Sequence, residues 1–143
     1  MIARSVGEQY VYVMLEDRKR PESEQTRFHF QVLDLKTHAK LTRAMQKFIN
    51  PDGTFDVQSV DMGELTSACV QAIREGLTDP GWENLCDPDG EQIPFELEKD
   101  GKASTALLKH WFRADQLQEL AGVAQSNDFL TEDDLKNSPS PQR

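Results

Sequence analysis

Apolar and polar residues alternate along this chain with two different periods, and the changes of period mark its elements. Tyr10-Val11-Tyr12-Val13-Met14-Leu15 is dense in aromatic and β-branched residues and too short to make a helix of its own, which predicts a strand. The charged, proline-containing segment from Asp17 to Glu24 reads as a loop. Beyond it Phe28, Phe30 and Val32 alternate with His29, Gln31 and Leu33, the period of a partly buried strand. The two strands predict an antiparallel hairpin. A lone hairpin is marginal in water, so either a helix covers its Phe28/Phe30/Val32 face or a third strand from Ile2 to Val6 extends it.

The period then lengthens. Leu41, Met45, Phe48 and Ile49 recur at three- and four-residue steps, while Lys36, Lys40, Arg43 and Lys47 take the wet side of the predicted helix. Asn50-Pro51-Asp52-Gly53 stops it, and a linker runs through Phe55 and Val57. Asp61, with Glu64 three positions on, caps a second helix whose apolar stripe is Met62, Leu65, Cys69, Ala72 and Ile73. Gly76 is expected as its left-handed terminator, with Leu77 making the closing apolar contact.

The stretch from Asp79 to Phe95 breaks the helical pattern. Pro80, Pro88 and Pro94 lack amide donors, and together with Gly81 and Gly90 they predict a shaped loop in place of a continuous helix. Trp82 is large and apolar, so it is expected to plug this loop onto the helical body, where Asp87-Pro88-Asp89-Gly90 makes a tight turn and Ile93-Pro94-Phe95 brings the chain back. A polar turn from Glu96 to Lys102 precedes Ser104 or Thr105 as the cap of a helix through Leu107, Leu108, Trp111 and Phe112. Leu117, Leu120, Ala121 and Ala124 form a further helical stretch, either continuous with that helix or bent near Arg113 to Asp115. Phe129-Leu130 with Thr131-Glu132-Asp133-Asp134 reads as a capped single turn.

The pattern predicts an α+β fold in which an N-terminal antiparallel hairpin or small sheet packs on a mainly helical body. One domain spans residues 1–136, β-rich over 1–35 and helical over 36–136 apart from a structured loop at 79–95. Residues 137–143 form a loose tail that buries too little apolar surface to order itself. With 143 residues the chain is long enough for one real core, and it has no apolar run that could span a bilayer. Its opening residues lack a signal-peptide pattern, so the expected compartment is the cytoplasm.

Charge sharpens this picture because it is unevenly spread. Residues 1–50 hold nine Lys/Arg against six Asp/Glu, or +3, and residues 51–143 hold seven against nineteen, or −12, which together make the net −9. The acidic part repels phosphate backbones, so no nucleic-acid partner is expected. Arg18-Lys19-Arg20 reads as a solvated hairpin tip.

Candidate chemistry is thin. Cys69 and Cys86 are too few for a disulfide framework and lack the paired spacing of a zinc site, and Cys69 is expected in the core. No phosphate loop, nucleophile elbow or paired-histidine helix occurs. His29, His38 and His110 are scattered over a strand, a helix start and a helix interior. Asp87, Asp89, Gly90 and Glu96 fall at the third, fifth, sixth and twelfth positions of a calcium loop, but Leu85 stands where the first carboxylate belongs. That leaves a turn as the better reading. No catalytic residue, cofactor or metal is therefore expected. Trp82 and Trp111 are expected to seal the core, and Phe129 and Leu130 to dock on either a partner or this same chain.

Gly81-Trp82-Glu83-Asn84-Leu85, leading to Asp87-Pro88-Asp89-Gly90-Glu91-Gln92-Ile93-Pro94-Phe95, sits between a helix pair and a leucine-bearing helix, and Leu135-Lys136-Asn137-Ser138 lies near the C-terminus. In this arrangement the chain resembles the tail assembly chaperones and related small tail proteins of long-tailed bacteriophages and prophages. The resemblance implies a non-enzymatic protein of virion morphogenesis that binds the tape measure protein and helps recruit tail tube subunits. It also leaves room for a homo-oligomer. The covering surface is expected from Leu117, Leu120, Phe129 and Leu130, with charged neighbours setting register. An acidic nucleic-acid mimic that blocks a host nucleic-acid-binding protein is the second reading, and a hydrolase built around His110 the third.

Overall fold

Residues 5–52, 54, 56 and 61–126 are described by the computed structural model. The fold is α+β. A three-stranded antiparallel sheet is built from β1 (Gln9–Tyr12), β2 (Arg27–Gln31) and β3 (Leu77–Glu83), with β2 in the centre. The predicted hairpin is present, with Tyr10 opposite Phe30 and Tyr12 opposite Phe28. Tyr10 stacks on Phe30 at 5.7 Å between ring centroids, so one sheet face is aromatic before any helix reaches it. Leu15, expected in the first strand, instead begins a short 3-10 turn, Leu15–Asp17, and is exposed.

The third strand comes from the chain's middle and not from Ile2–Val6. Val6 is exposed, and residues 1–4 lie outside the described set. Leu77 and Trp82 pair with Phe30 and Phe28, and between those pairs four residues, Thr78 to Gly81, stand opposite the single residue His29. The expectation that the chain from Asp79 is loop alone is thereby corrected, as is the reading of 36–136 as helical apart from that loop. The bulge places Pro80, which has no amide to donate, and Gly81, at φ +75°, outside the regular ladder, while the strand ends remain paired. The Asp79–Pro80 peptide is cis.

Four helices cover the Tyr10/Phe28/Phe30 face: α1 (Leu35–Gln46), α2 (Met62–Gly76), α3 (Thr105–Trp111) and α4 (Ala114–Gln125). Asp34 caps α1, accepting from the Thr37 amide at 2.7 Å. Asp61 caps α2 as expected, accepting from Gly63 and Glu64, and Ser104 caps α3 by accepting from Leu107. Leu41, Met45, Leu65, Cys69 and Ile73 are buried. Met62 and Ile49 are not: Ile49 lies beyond the end of α1, and Met62, in the first turn of α2, is half exposed. The chain bends at Phe112 and Arg113, so α3 and α4 are separate helices, and Phe112 drops its ring between Phe28 and Trp82.

Gly76 ends α2 but not as a left-handed terminator. Leu77 follows it directly in extended conformation, and the glycine serves a close approach instead. A Cβ there would lie 2.7 Å from the Ala124 Cβ and 3.0 Å from Phe30 Cδ1, so the missing side chain lets α2 touch α4 and the sheet together.

Candidate functional site

The loop from Asn84 to Phe95 is a shaped structure, as its composition requires. Trp82 is buried and donates its indole N–H to the Ile93 carbonyl at 2.7 Å, with its ring edge-on to Phe28, Phe95 and Phe112. Asp87 accepts from the amides of Asp89 and Glu91 on one carboxylate oxygen, and the Gly90 amide donates to the Asp87 carbonyl, so its side chain shapes the turn. The next turn, Glu96 to Lys102, is clamped by Arg74 of α2, which donates to the Ala103 carbonyl and to Asp100.

Where this loop leaves β3 it forms one wall of a cleft of about 380 Å³. The opposite wall is the β1–β2 connection, and the first turn of α4 closes one end. Met14, Phe28 and Phe112 line the cleft, with Leu85 on the Asn84 side, while Glu16 and Glu24 bring carboxylates to it.

The walls are tied together by polar bonds. Thr26, a buried polar residue, donates its amide to Asp17 at 2.8 Å and its hydroxyl to the Asn84 carbonyl at 2.9 Å. Asn84 itself sits at φ +63°, a left-handed conformation that asparagine tolerates better than most residues, and its side-chain amide donates to the carbonyls of Ser23 and Gln25. Glu16 accepts from Arg113 and Gln116, joining the connection to α4. Above it the Glu119 carboxylate accepts from the Tyr12 hydroxyl at 2.7 Å and from the Leu15 amide. Burial, then that bond and the neighbouring negative charge, raise the Tyr12 phenol above its ordinary range.

The proposed partner face on α4 is corrected by this packing. Leu117 and Leu120 are 2 % and 0 % exposed, turned into the core by the contact of α4 with α2, and neither lines the cleft. Phe129 and Leu130 lie outside the described residues. Asp87, Asp89, Gly90, Trp82 and Phe95 shape the loop without lining the cleft.

The histidines serve three unrelated places. His29 meets Glu83 at 2.8 Å, His110 sits edge-on against Trp111, and His38 belongs to α1. Among the described residues no group of three His, Cys, Asp or Glu side chains could hold a metal ion. Buried Cys69 has its thiol pushed up to about 11 by desolvation, which makes it a poor nucleophile, and Cys86 is exposed beside the cleft. Sequence reasoning missed Asn84 and Thr26. An asparagine between a strand and a turn was the available signal for a left-handed corner. No helix among the described residues is long and apolar enough to cross a membrane. No protein-family model matches the chain, and comparison with curated proteins and with solved structures returned no match.

Proposed function

We propose that this chain acts as a phage tail assembly chaperone-like protein, binding the tape measure protein and helping to recruit tail tube subunits during virion morphogenesis without catalysing a reaction. The cleft carries this reading. Its apolar floor of Met14, Phe28 and Phe112 suits a large side chain from an amphipathic helix, and Glu24 and Arg20 on its rim suit polar or charged neighbours of that anchor. Part of the stretch that resembles the chaperones, Asn84 to Cys86, supplies a wall of this cleft. The mimic reading is weaker because Asp61, Asp87 and Asp100 hold backbone amides in caps and turns, which removes them from any phosphate-like array.

The test is co-expression with a tape measure protein of a long-tailed phage. The soluble fraction of the tape measure protein is expected to rise, and Leu85→Glu, checked for folding by circular dichroism, is expected to abolish the gain. Unchanged solubility with the wild-type chain would reject the proposal.

A further inference from the structure

Helix α1 and its C-cap carry a one-sided row of cations that the fold pairs only in part. From Leu35 to Pro51 the chain contains Lys36, Lys40, Arg43 and Lys47 and no Asp or Glu, in a protein of net charge −9. At 100° per residue the four cations fall within an arc of about 60°, opposite buried Leu41 and Met45, and run about 16 Å along the axis. Like charges three and four residues apart destabilise a helix, so this ridge works against α1 itself. Elsewhere Arg74, Arg113 and Lys102 pair with carboxylates of their own fold. On the ridge Lys47 meets Glu64, whereas Lys36, Lys40 and Arg43 make no ion pair among the described residues.

The complementary pattern lies on the loop beyond β3. Asp89, Glu91 and Glu96 are exposed, and their carboxylates make no ion pair among the described residues. No hydrogen bond or ion pair joins these acids to the ridge, and α1 packs on α2 and α4. Each patch has an apolar neighbour out of place in water: Leu35, 80 % exposed, begins the ridge, and Leu97, 53 % exposed, follows Glu96.

We propose that the α1 ridge of one copy docks on the loop acids Asp89, Glu91 and Glu96 of a second copy, with Leu35 against Leu97 at one end of the contact. Two different patches meet, so the contact is head-to-tail and propagates into a ring or an open chain of protomers. It forms best at intermediate salt. At low ionic strength the repulsion between bodies of −9 reaches across the whole protein, near 0.15 M a screening length of about 8 Å suppresses that repulsion more than the close pairs, and near 1 M the pairs weaken too.

The experiment is sedimentation velocity of the purified chain over a concentration series at these salt levels, which needs no other protein. The wild type is expected to show concentration-dependent mass above the monomer near 0.15 M, and less at both extremes. Lys40→Glu with Arg43→Glu should weaken association by about tenfold or more, and so should Asp89→Lys with Glu91→Lys. The second pair lowers the net charge from −9 to −5, since each reversal adds two, so non-specific repulsion alone would change association in the opposite direction. Mixing the two double variants pairs the reversed ridge of one with the reversed loop of the other, and the native ridge of the second with the native loop of the first, and should recover the mass. A monomeric wild type at every salt, association indifferent to either reversal, or no rescue on mixing would overturn the proposal. So would tight binding of a duplex DNA probe that the Lys40→Glu/Arg43→Glu variant loses, because the ridge would then be a phosphate site.

Discussion

The ring of Phe95 lies directly over the α-carbon of Gly81, so closely that a Cβ at position 81 would fall 2.2 Å from Phe95 Cδ1. Gly81 also needs φ +75°, and the two constraints leave glycine alone able to occupy the end of the β3 bulge. Phe95 in turn braces the Trp82 ring edge-on at 5.0 Å. Gly81→Ala is expected to destabilise the protein by about 3 kcal/mol, combining left-handed strain with overpacking. In a Phe95→Ala background the same change should cost about 1 kcal/mol less, because the clash is gone while the backbone strain remains. Urea denaturation of the four proteins closes the cycle, and equal costs in both backgrounds would show that the ring is not the obstacle.

Gly76 presents the other close approach, with a different balance. Alanine is worth about 1 kcal/mol over glycine inside a helix. Here its methyl would meet the Ala124 methyl at 2.7 Å and Phe30 at 3.0 Å. Overpacking of this kind costs about 1–3 kcal/mol, so Gly76→Ala should destabilise despite the better propensity. Adding Ala124→Gly should recover about 1 kcal/mol of the loss relative to the sum of the single changes. A stabilised Gly76→Ala midpoint would mean that α2 and α4 separate easily.

These two glycines also show what was legible in the sequence. The alternation of Phe28, Phe30 and Val32 and the helical spacing of Leu65, Cys69 and Ile73 report local burial, and both are buried as read. Capping by Asp61 and Ser104 and the turn at Asp87 to Gly90 are equally local and equally readable. The third strand was hidden because its pairing with β2 joins distant parts of the chain, and because Pro80 and Gly81 sit in a bulge that sequence reads as a break. Leu117 and Leu120 look the same in sequence whether their stripe meets a partner or α2. The cleft was invisible for the same reason, since Glu16 and Gln116 meet only after folding.

At Asn84 the backbone and the side chain can be tested separately. Asn84→Gly keeps access to φ +63° but removes the amide that holds Ser23 and Gln25, a loss of about 1–2 kcal/mol. Asn84→Ala loses the same bonds and adds left-handed strain, so it should be about 1 kcal/mol less stable than the glycine variant. Identical midpoints for the two variants would indicate that the corner relaxes when the side chain is removed.

Asp100 sets an acid limb. Its carboxyl is held below the usual carboxylate range, first by the Lys102 amide and then by Arg74. A lowered folded value means that the group stabilises the fold above its ordinary titration, with the gain lost as pH falls through the folded value. Asp100→Asn should lower the urea midpoint near neutrality and flatten its decline below about pH 4, with the two curves converging in acid. Parallel curves would exclude Asp100 from the acid limb.

The alkaline limb runs in the opposite sense. Burial raises both Tyr10 and Tyr12, and Tyr12 is raised further because its hydroxyl donates to the Glu119 carboxylate, which repels a phenolate. A raised folded value means that the neutral phenol's contribution is fully present below the ordinary value near 10 and is lost as pH climbs through the folded one. Stability should therefore hold to about pH 9 and fall beyond it. Tyr12→Phe removes one of the titrating groups, Tyr10 and buried Cys69 being the others, so its urea midpoint should start lower but decline less steeply between about pH 10 and 11, by up to about one proton in the linkage slope. The Tyr12 hydroxyl and the Leu15 amide share the Glu119 carboxylate of α4, and the Tyr10 hydroxyl reaches the Val123 carbonyl of the same helix, so an unchanged slope would place the alkaline transition at Tyr10 or at the buried Cys69 thiol.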